Sequence, residues 1–531
     1  MRQFLLLFLL LCAVATTAVA QTSHSGTMSD ADQKTFQRAI QDYQKGRYIP
    51  SAKQLRILAA RHPSNPDIQF FLGLNAVKHN FNVAGIRRYF PQVLRLDPNY
   101  PDPLAHYYMG LIHYTDNQFD QAVDDFTRYF QLANTNGTPE SDATYMEASN
   151  YLYWSRFLAE AYRNIAPFHP RVITSLSSSE DETMPFFSLD GTLCIFLRPT
   201  STASRASFHS HELDPKPLKL YLSTHHDTLF SPPMLLPAPF NQGDPEGGVT
   251  LTADNRELYY PVIRRFRGYN NSDIYLSIFD SNRWQPIRNL GDSVNRPDTW
   301  ESQPSISPDG QWLYFASNRP GGLGGTDIWR SRRNPDGSWG TPVNLGSAVN
   351  SPGNERCPFI HADGHTLYFS SNGWQSFGGY DLFFIDLDRT DLAIPANLGL
   401  PINTESDDIT LSVSPDGIKA HLAAPTDSAD RIGGSDILQF NLYPAARPEP
   451  MHLIKGRVTS TGGTPLPATI TVNHGTTHPA IYRTAPDGSY TILISKSKNN
   501  TVTISAPGHK TRTIPCTPSN PLPSTLVLSP Q

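Results

Sequence analysis

The run GGLGGTD places Gly322, Gly324 and Asp327 in a GxGxxD spacing, the nearest approach in this chain to a phosphate-cradling loop. A dinucleotide loop needs a third glycine and the start of a helix, because backbone N–H groups at a helix N-terminus hold the pyrophosphate. Here DIW follows as another strand, and the loop has no lysine followed by Ser or Thr, so phosphate binding is not expected. As a calcium loop it offers one carboxylate where several oxygen ligands at alternating positions are required. Asp327 and its equivalents Asp273, Asp381 and Asp436 are expected instead to accept backbone N–H bonds in tight turns between strands, a structural role.

Two groups of metal-competent side chains come next: His209, His211, Glu212 and Asp214, then His225, His226 and Asp227. His209 and His211 share a face if that segment is extended, as a metal site would require. The strand Leu218 to Ser223 lies between the groups, and its six residues span about 20 Å, which sends them to opposite ends. The expectation is a solvated insertion with no metal. Nucleophilic and hydrolytic signatures are missing: there is no GxSxG elbow and no HxxE or HExxH ligand set. Beyond Cys12 the cysteines are Cys194, Cys357 and Cys516, without a CxxC pair, and read as buried free thiols.

Basic residues gather in two loops, Arg264, Arg265 and Arg267 in PVIRRFRGYNN and Arg330, Arg332 and Arg333 in WRSRRNPDG. They make a candidate docking patch for an acidic partner or lipid headgroups, against the competing reading of solvated hairpins. A formal net charge of -5 without a basic tail argues against nucleic acid.

The elements that must position these residues follow from the pattern of the whole chain. Residues 1–20 (MRQFLLLFLLLCAVATTAVA) have Arg2, a short apolar run and small residues up to Ala20, a secretory leader cleaved near Ala20 rather than a membrane span. The 531 residues are too many for one core and call for roughly three or four domains. With 46 prolines, 35 glycines and 17% charged residues, the composition favours turn-rich β structure.

Over 31–168 apolar residues keep helical spacing, and Gly110, Phe119, Ala122, Phe126 and Tyr129 fall where two helices would touch. This resembles the tetratricopeptide repeat, with earlier copies around Ala39, Gly46 and Tyr48 and around Gly73, Ala84 and Tyr89. The resemblance implies an α-solenoid whose groove is lined by Tyr43, Lys78, Tyr107 and Tyr114, aromatics with polar tips and one lysine that suit an extended peptide. Core packing between repeats is the competing reading.

From 171 to 443 the pattern changes to short strands separated by turns. The turn LDG at Leu189 recurs as ADN, PDG, ADG and PDG, while Asp273, Asp327, Asp381 and Asp436 stand 54, 54 and 55 residues apart. A third marker, Asn241, Asn295, Asn350 and Asn403, keeps intervals of 54, 55 and 53. Units of this length with four short antiparallel strands read as blades of a PD40 or WD40-like, TolB-like β-propeller. The last unit lacks a fourth strand and Val172–Leu176 precedes the first without a unit of its own, so the two pair and five blades close the ring. Glycosidases on five-bladed propellers need carboxylates facing a cavity, whereas the recurring acids here take equivalent turn positions in every unit.

After the proline-rich linker Tyr443–Pro450, residues 452–531 carry KGRV, a Pro465–Pro467 bend and the turn Asp487–Gly488. They resemble the carboxypeptidase regulatory-like domain, a transthyretin-like β-sandwich. Leader, helical repeats, propeller and sandwich in this order resemble the periplasmic peptidoglycan-associated component of bacterial type IX secretion systems. The resemblance implies a multidomain α plus all-β protein of the periplasm, outer-membrane associated, partnered by envelope or secretion-system proteins, with no cofactor, no metal and no membrane span. In that family an OmpA-like domain follows the sandwich and grips the cell wall; this sequence ends at Gln531 with the sandwich, so peptidoglycan binding is not carried over. The expectation is a non-catalytic scaffold acting through the helical groove and the propeller face, with a peptide- or glycan-binding propeller and a propeller hydrolase as alternatives.

Overall fold

The computed structural model describes residues 28–79, 82–200, 218–226, 229–242, 247–266, 269–389, 394–425, 430–474, 479–517 and 520–531. The leader, the group His209, His211, Glu212 and Asp214, and also Asp227 and Arg267, lie outside the described residues. The chain divides into two compact units, Met1–Asn164 and Ile165–Gln531.

The first unit has seven α-helices among its described residues: Asp30–Gln44, Tyr48–Arg61, Pro66–Lys78, Val83–Leu96, Pro103–Thr115, Phe119–Thr135 and Ala143–Arg163. Their starts are set locally. The side chains of Ser29, Asn65, Asn82, Asp102 and Asp142 each accept a backbone N–H of the first turn, and Pro66 and Pro103 open their helices where a missing N–H costs nothing. Gly73 faces the Phe90 ring and Gly110 faces the Phe126 ring, so closely that a Cβ at either would stand 2.8 Å from ring carbon. The same glycine–phenylalanine crossing thus appears twice, and Phe36, Phe70, Phe90, Phe126 and Tyr129 fill the core it leaves.

The second unit begins with five antiparallel sheets. The first holds Thr183–Phe187, Leu193–Pro199 and Leu218–His226 with two short outer strands, and the second Thr250–Leu251, Glu257–Phe266 and Tyr269–Asp280 with two short outer strands. The third holds Glu301–Ile306, Trp312–Ser317, Asp327–Arg332 and Val343–Asn344; the fourth Glu355–Ile360, Thr366–Ser371, Asp381–Asp386 and Ala396–Asn397. In the fifth, Ser412–Val413, Lys419–Ala424 and Asp436–Asn441 are completed on the outer edge by Arg171–Val172, with Arg171 opposite Gln439 and Val172 opposite Leu438. The strand before the first sheet therefore closes the last, which is the topology of a propeller. It is shorter than the expected Val172–Leu176, because Leu176 turns back to bond Ile173 O.

The recurring asparagines and aspartates share one task. Asn350 Oδ1 accepts from Ile328 N at 2.8 Å while its Nδ2 donates to Ile328 O at 3.1 Å, so the side chain acts as an extra backbone partner for the third strand. Its Nδ2 also donates to Asn344 Oδ1, and Asn344 Nδ2 donates to Asp327 Oδ2 at 2.7 Å. The same three-residue relay runs through Asp273, Asn289 and Asn295 and through Asp381, Asn397 and Asn403.

The glycine pair before each of the last three aspartates has a different reason. A Cβ on Gly324 would strike Gly353 O, one on Gly378 would strike Glu405, and one on Gly433 would lie 2.6 Å from Glu180 O. Each glycine admits the loop that enters the next sheet, and the third case joins the fifth sheet to the first. Glu355 N donates to Thr326 O, Asp408 N to Tyr380 O and Glu182 N to Ser435 O, one bond at the same place in each junction.

The segment Tyr443–Pro450, expected to be a linker, is bonded in place: Pro444–Ala446 makes a turn of 3-10 helix, and the Tyr368 hydroxyl donates to Ala446 O at 2.7 Å. Beyond it Met451–Ser460 pairs with Ser489–Ser495 and Thr525–Leu528, and a four-stranded sheet of Ala480–Arg483, Thr469–Asn473, Asn500–Ser505 and Arg512–Cys516 faces it, so that Ile470, Val472, Ile492, Val502 and Ile504 are buried between.

Candidate functional site

The inner strands of the five sheets have two ends, and the chain treats them differently. At one end lie the Asp-Gly or Asp-Asn turns. In each turn the first carboxylate oxygen is consumed locally: Asp190, Asp254, Asp309 and Asp416 take the Ser or Thr hydroxyl two residues before and the backbone N–H two residues after. The second oxygen is then left for longer-range partners, taken in two turns by the sandwich and in a third by the connector that leads into it. Lys455 Nζ stands 2.8 Å from Asp190 Oδ2, Ile481 N donates to Asp309 Oδ2 at 3.1 Å, and Glu449 N donates to Asp363 Oδ2 at 3.2 Å. The residues preceding the aspartates join in, since Leu189, Ala253 and Ala362 pack into the sandwich's hydrophobic cluster. The turn end of the sheets is the seat of the sandwich.

Electrostatics follow this seating. Burial pushes Asp190 up, yet the hydrogen bonds from Lys455, Thr192 and Ser188 outweigh it and hold its carboxyl below the ordinary range. Asp363 is likewise depressed, burial being overcome by His361 and His365 beside it.

At the opposite end the inner strands begin with acids: Glu182, Glu301, Glu355 and Asp408, all buried. These repeat at nearly the same period as the other markers, a signal present in the sequence that the turn motifs overshadowed. Each braces the loop before it: Glu182 takes Ser178 Oγ at 2.6 Å, Glu301 takes Thr299 Oγ1 at 2.6 Å, Glu355 takes Ser351 Oγ at 2.5 Å and Asp408 takes Thr404 N at 2.6 Å. Arg198 pairs with Glu182 at 2.7 Å and Arg319 with Glu301 at 3.2 Å. Burial raises Glu182 and Glu355, and lifts Asp408 to about 6.

Past Glu182, Glu301 and Glu355 the inner strand breaks register, and the residues at the break line a shared pocket. Met184, Gln303 and Cys357 have φ of 51°, 54° and 46°, a left-handed conformation that side chains other than glycine's adopt only under constraint. With Gly248 and Thr410 they line a channel between the inner strands, to which Pro185, Pro304 and Pro358 also contribute. Three of its polar side chains are spent on the walls: Ile306 N donates to Thr250 Oγ1, Cys357 N to Gln303 Oε1 and Ile360 N to Ser305 Oγ, whereas Ser412 Oγ is buried without a partner. Burial pushes the Cys357 thiol up to about 12, which removes its thiolate at neutral pH.

The residues singled out from sequence are scattered. Tyr43 and Tyr107 belong to the core of the helical unit, Tyr107 only 3% exposed with its ring against Tyr108, Phe126 and Tyr129; neither lines a groove. Tyr114 is partly buried against Phe119 and Tyr151, and Lys78 is exposed, its ammonium nevertheless lowered by partial desolvation. A polar tip on an aromatic was the misleading signal, since helical spacing does not separate a groove face from a repeat interface.

The two arginine groups also part company. Arg333 is no docking residue: it spans sheets to pair with Glu257 at 2.5 Å and lies over Trp339. Arg330 and Arg332 stack on Trp312 at 4.7 and 5.6 Å. Arg264 and Arg265 sit on the long strand Glu257–Phe266, opposite Asn271 and Asn270. Asp327 accepts from Leu323 N and Gly324 N, Asp381 from Phe377 N, and Asp436 from Ile432 N, while Asp273 is tied to Asn289. His225 packs its ring on Phe230. Among the described residues no helix is long and apolar enough to cross a membrane.

No protein-family model matches this sequence, and no curated protein matches it. Solved structures similar in fold include the tricorn protease (10% identity, 59% of this chain and 27% of that one, TM-score 0.30). An oligogalacturonate lyase from Vibrio parahaemolyticus is similar at 8% identity over 54% of this chain and 99% of that one, with TM-score 0.27. A prolyl endopeptidase is similar at 14% identity over 63% and 48%, with TM-score 0.25. All three are enzymes by name, and against them the expectation that this chain is not an enzyme does not stand. The likeness is one of fold, at TM-scores too low to transfer any activity.

Proposed function

We propose that the propeller has five blades, that the helical unit is a tetratricopeptide solenoid, and that the chain is a scaffold or adaptor of a cell-envelope complex. The domains then run over 31–168, 171–443 and 452–531, behind a leader that directs the chain to the periplasm. The kinship to type IX secretion rests on the order of these parts. The observation that carries the reading is the seating of the sandwich on the turn end, where two turn aspartates bind it and a third binds the connector just before it. A propeller fused in this way to a second β domain is a rigid platform, and its other end stays clear of the sandwich for partners.

Affinity purification with crosslinking from a gently solubilised envelope tests it. The full chain is expected to recover secretion or outer-membrane proteins, and a version lacking residues 21–168 shows whether they are held by the helices or by the propeller. A chain that comes through as a partner-free monomer overturns the scaffold.

A further inference from the structure

Three arginines near the acid end of the propeller share one setting, and one of them lacks its partner. Arg198 lies over Phe196 and Tyr221 and is paired with Glu182; Arg319 lies over Phe315 and Trp329 and is paired with Glu301. Arg356 lies over Trp300 and Tyr380, at 5.5 and 5.3 Å, with no carboxylate within ion-pair distance among the described residues. Its Nε is shut off from solvent and has no hydrogen-bond partner. The acids nearby are committed elsewhere: Glu355 to Ser351 and Ser371, and Asp407 Oδ1 to the backbone N–H of Tyr380.

A half-buried guanidinium without an anion is costly, because desolvation is not repaid by a charge-assisted bond. Two aromatic rings hold this one flat and pre-oriented, the condition in which a guanidinium fork receives a carboxylate with little loss of freedom. The next residue, Cys357, lines the channel, whose walls are mostly apolar or already bonded, with Ser412 Oγ buried and unpartnered. Such a channel has few partners to offer sugar hydroxyls and suits an aliphatic or aromatic side chain.

We propose that Arg356 binds the carboxylate of an acidic residue in a partner peptide, an adjacent apolar side chain of which enters the channel between the inner strands. This rests on the reading of the acid end as the partner-facing end and names what that end recognises. Charge complementarity selects the peptide, and the aromatic brackets fix the position of the acid.

The test titrates the full chain with a dansyl-labelled peptide pool carrying one Glu flanked by Leu, Phe, Val or Met, read by anisotropy. A pool with Gln in place of Glu and a trigalacturonate serve as the neutral and uronic-acid probes. The Glu pool is expected to bind tighter than about 1 mM, and the Gln pool about tenfold or more weaker. Arg356→Gln should lose about tenfold while Arg389→Gln, on an exposed turn, loses nothing. Equal binding of the two pools, no binding of the Glu pool by the unaltered chain, an unchanged Arg356→Gln, or preference for the uronate each overturns it. The pools are compared on the unaltered chain, so a misfolded variant does not leave the question open. Peptide binding without co-purified envelope proteins removes the scaffold and keeps the site; recovered partners with equal binding of the pools do the reverse.

Discussion

Lys455 Nζ lies 2.8 Å from Asp190 Oδ2, a contact between residues 265 positions apart that fastens the sandwich to the first sheet's turn. The lysine is 55% exposed and the aspartate 8%, so the bond closes over a nearly buried carboxylate from the solvent side. Asn255 Nδ2 reaches the same oxygen from the next sheet's turn at 3.0 Å. One carboxylate thereby ties two sheets and the sandwich together.

Asp190→Asn should loosen this joint by about 1–2 kcal/mol, and Lys455→Met by less, because an exposed lysine gains little from its pair. The pH dependence has a fixed sign. The folded carboxyl is depressed below its ordinary 3.8, so its contribution is complete above that value and is lost as pH falls below it. Limited proteolysis in the Tyr443–Pro450 connector, followed against pH, reads the joint directly. Cleavage should accelerate below about pH 4 in the unaltered chain, whereas Asp190→Asn, with no carboxyl to titrate there, should already be cut faster at neutral pH and lose that acceleration; identical profiles would rule the clamp out.

The Asn350 relay predicts a larger loss. Asn350→Ala strands the N–H of Ile328, a fully buried residue, and removes one of two donors from Ile328 O, which keeps Leu345 N, and from Asn344 Oδ1, which keeps Gly346 N. One orphaned buried N–H costs about 1–3 kcal/mol, and the two weakened acceptors add to it, against about 0.5 kcal/mol or less for an ordinary exposed substitution. Asn350→Asp restores the acceptor for Ile328 N but not the donor, and should fall between. Urea midpoints of the three proteins give the order, and Asn350→Ala as stable as the unaltered chain would remove the relay from the account.

The repeat itself was legible because three kinds of side chain keep one period: the turn aspartates, the aspartates of the third strands and the asparagines that clamp those strands. The closing of the last sheet by the strand at Arg171 was legible for the same reason, since a missing fourth strand at one end matches a spare strand at the other. The seat of the sandwich was not. The first oxygen of Asp309 is satisfied two residues away, which a local pattern shows, but the second meets Ile481, 172 residues on. The glycines at Gly324 and Gly433 were open to misreading for a related cause: what excludes a side chain there is the backbone of a neighbouring sheet. Arg356 stands out only beside Arg198 and Arg319, and that comparison requires knowing that each lies over two rings.

Asp381 carries the opposite pH dependence. Burial lifts its carboxyl to about 7, against hydrogen bonds from Asn397 and Phe377 N that favour the charged form, and Asp408 nearby adds to the rise. Its Oδ1 is buried without a partner, the state expected of an oxygen that holds a proton near neutrality. Because the unfolded carboxyl ionises near 3.8, the folded chain retains a proton between that value and about 7 that the unfolded chain has released. Stability from this group is therefore complete below 3.8 and declines as pH rises through about 7, the reverse of Asp190 and in a separate window. Asp381→Asn keeps the acceptor for Asn397 and Phe377 N and removes the titration. Its unfolding free energy should vary less between about pH 4 and about pH 7.5, by roughly 2 kcal/mol, and should exceed that of the unaltered chain at the upper end. Parallel profiles for the two proteins across that window would show that Asp381 stays charged in the fold.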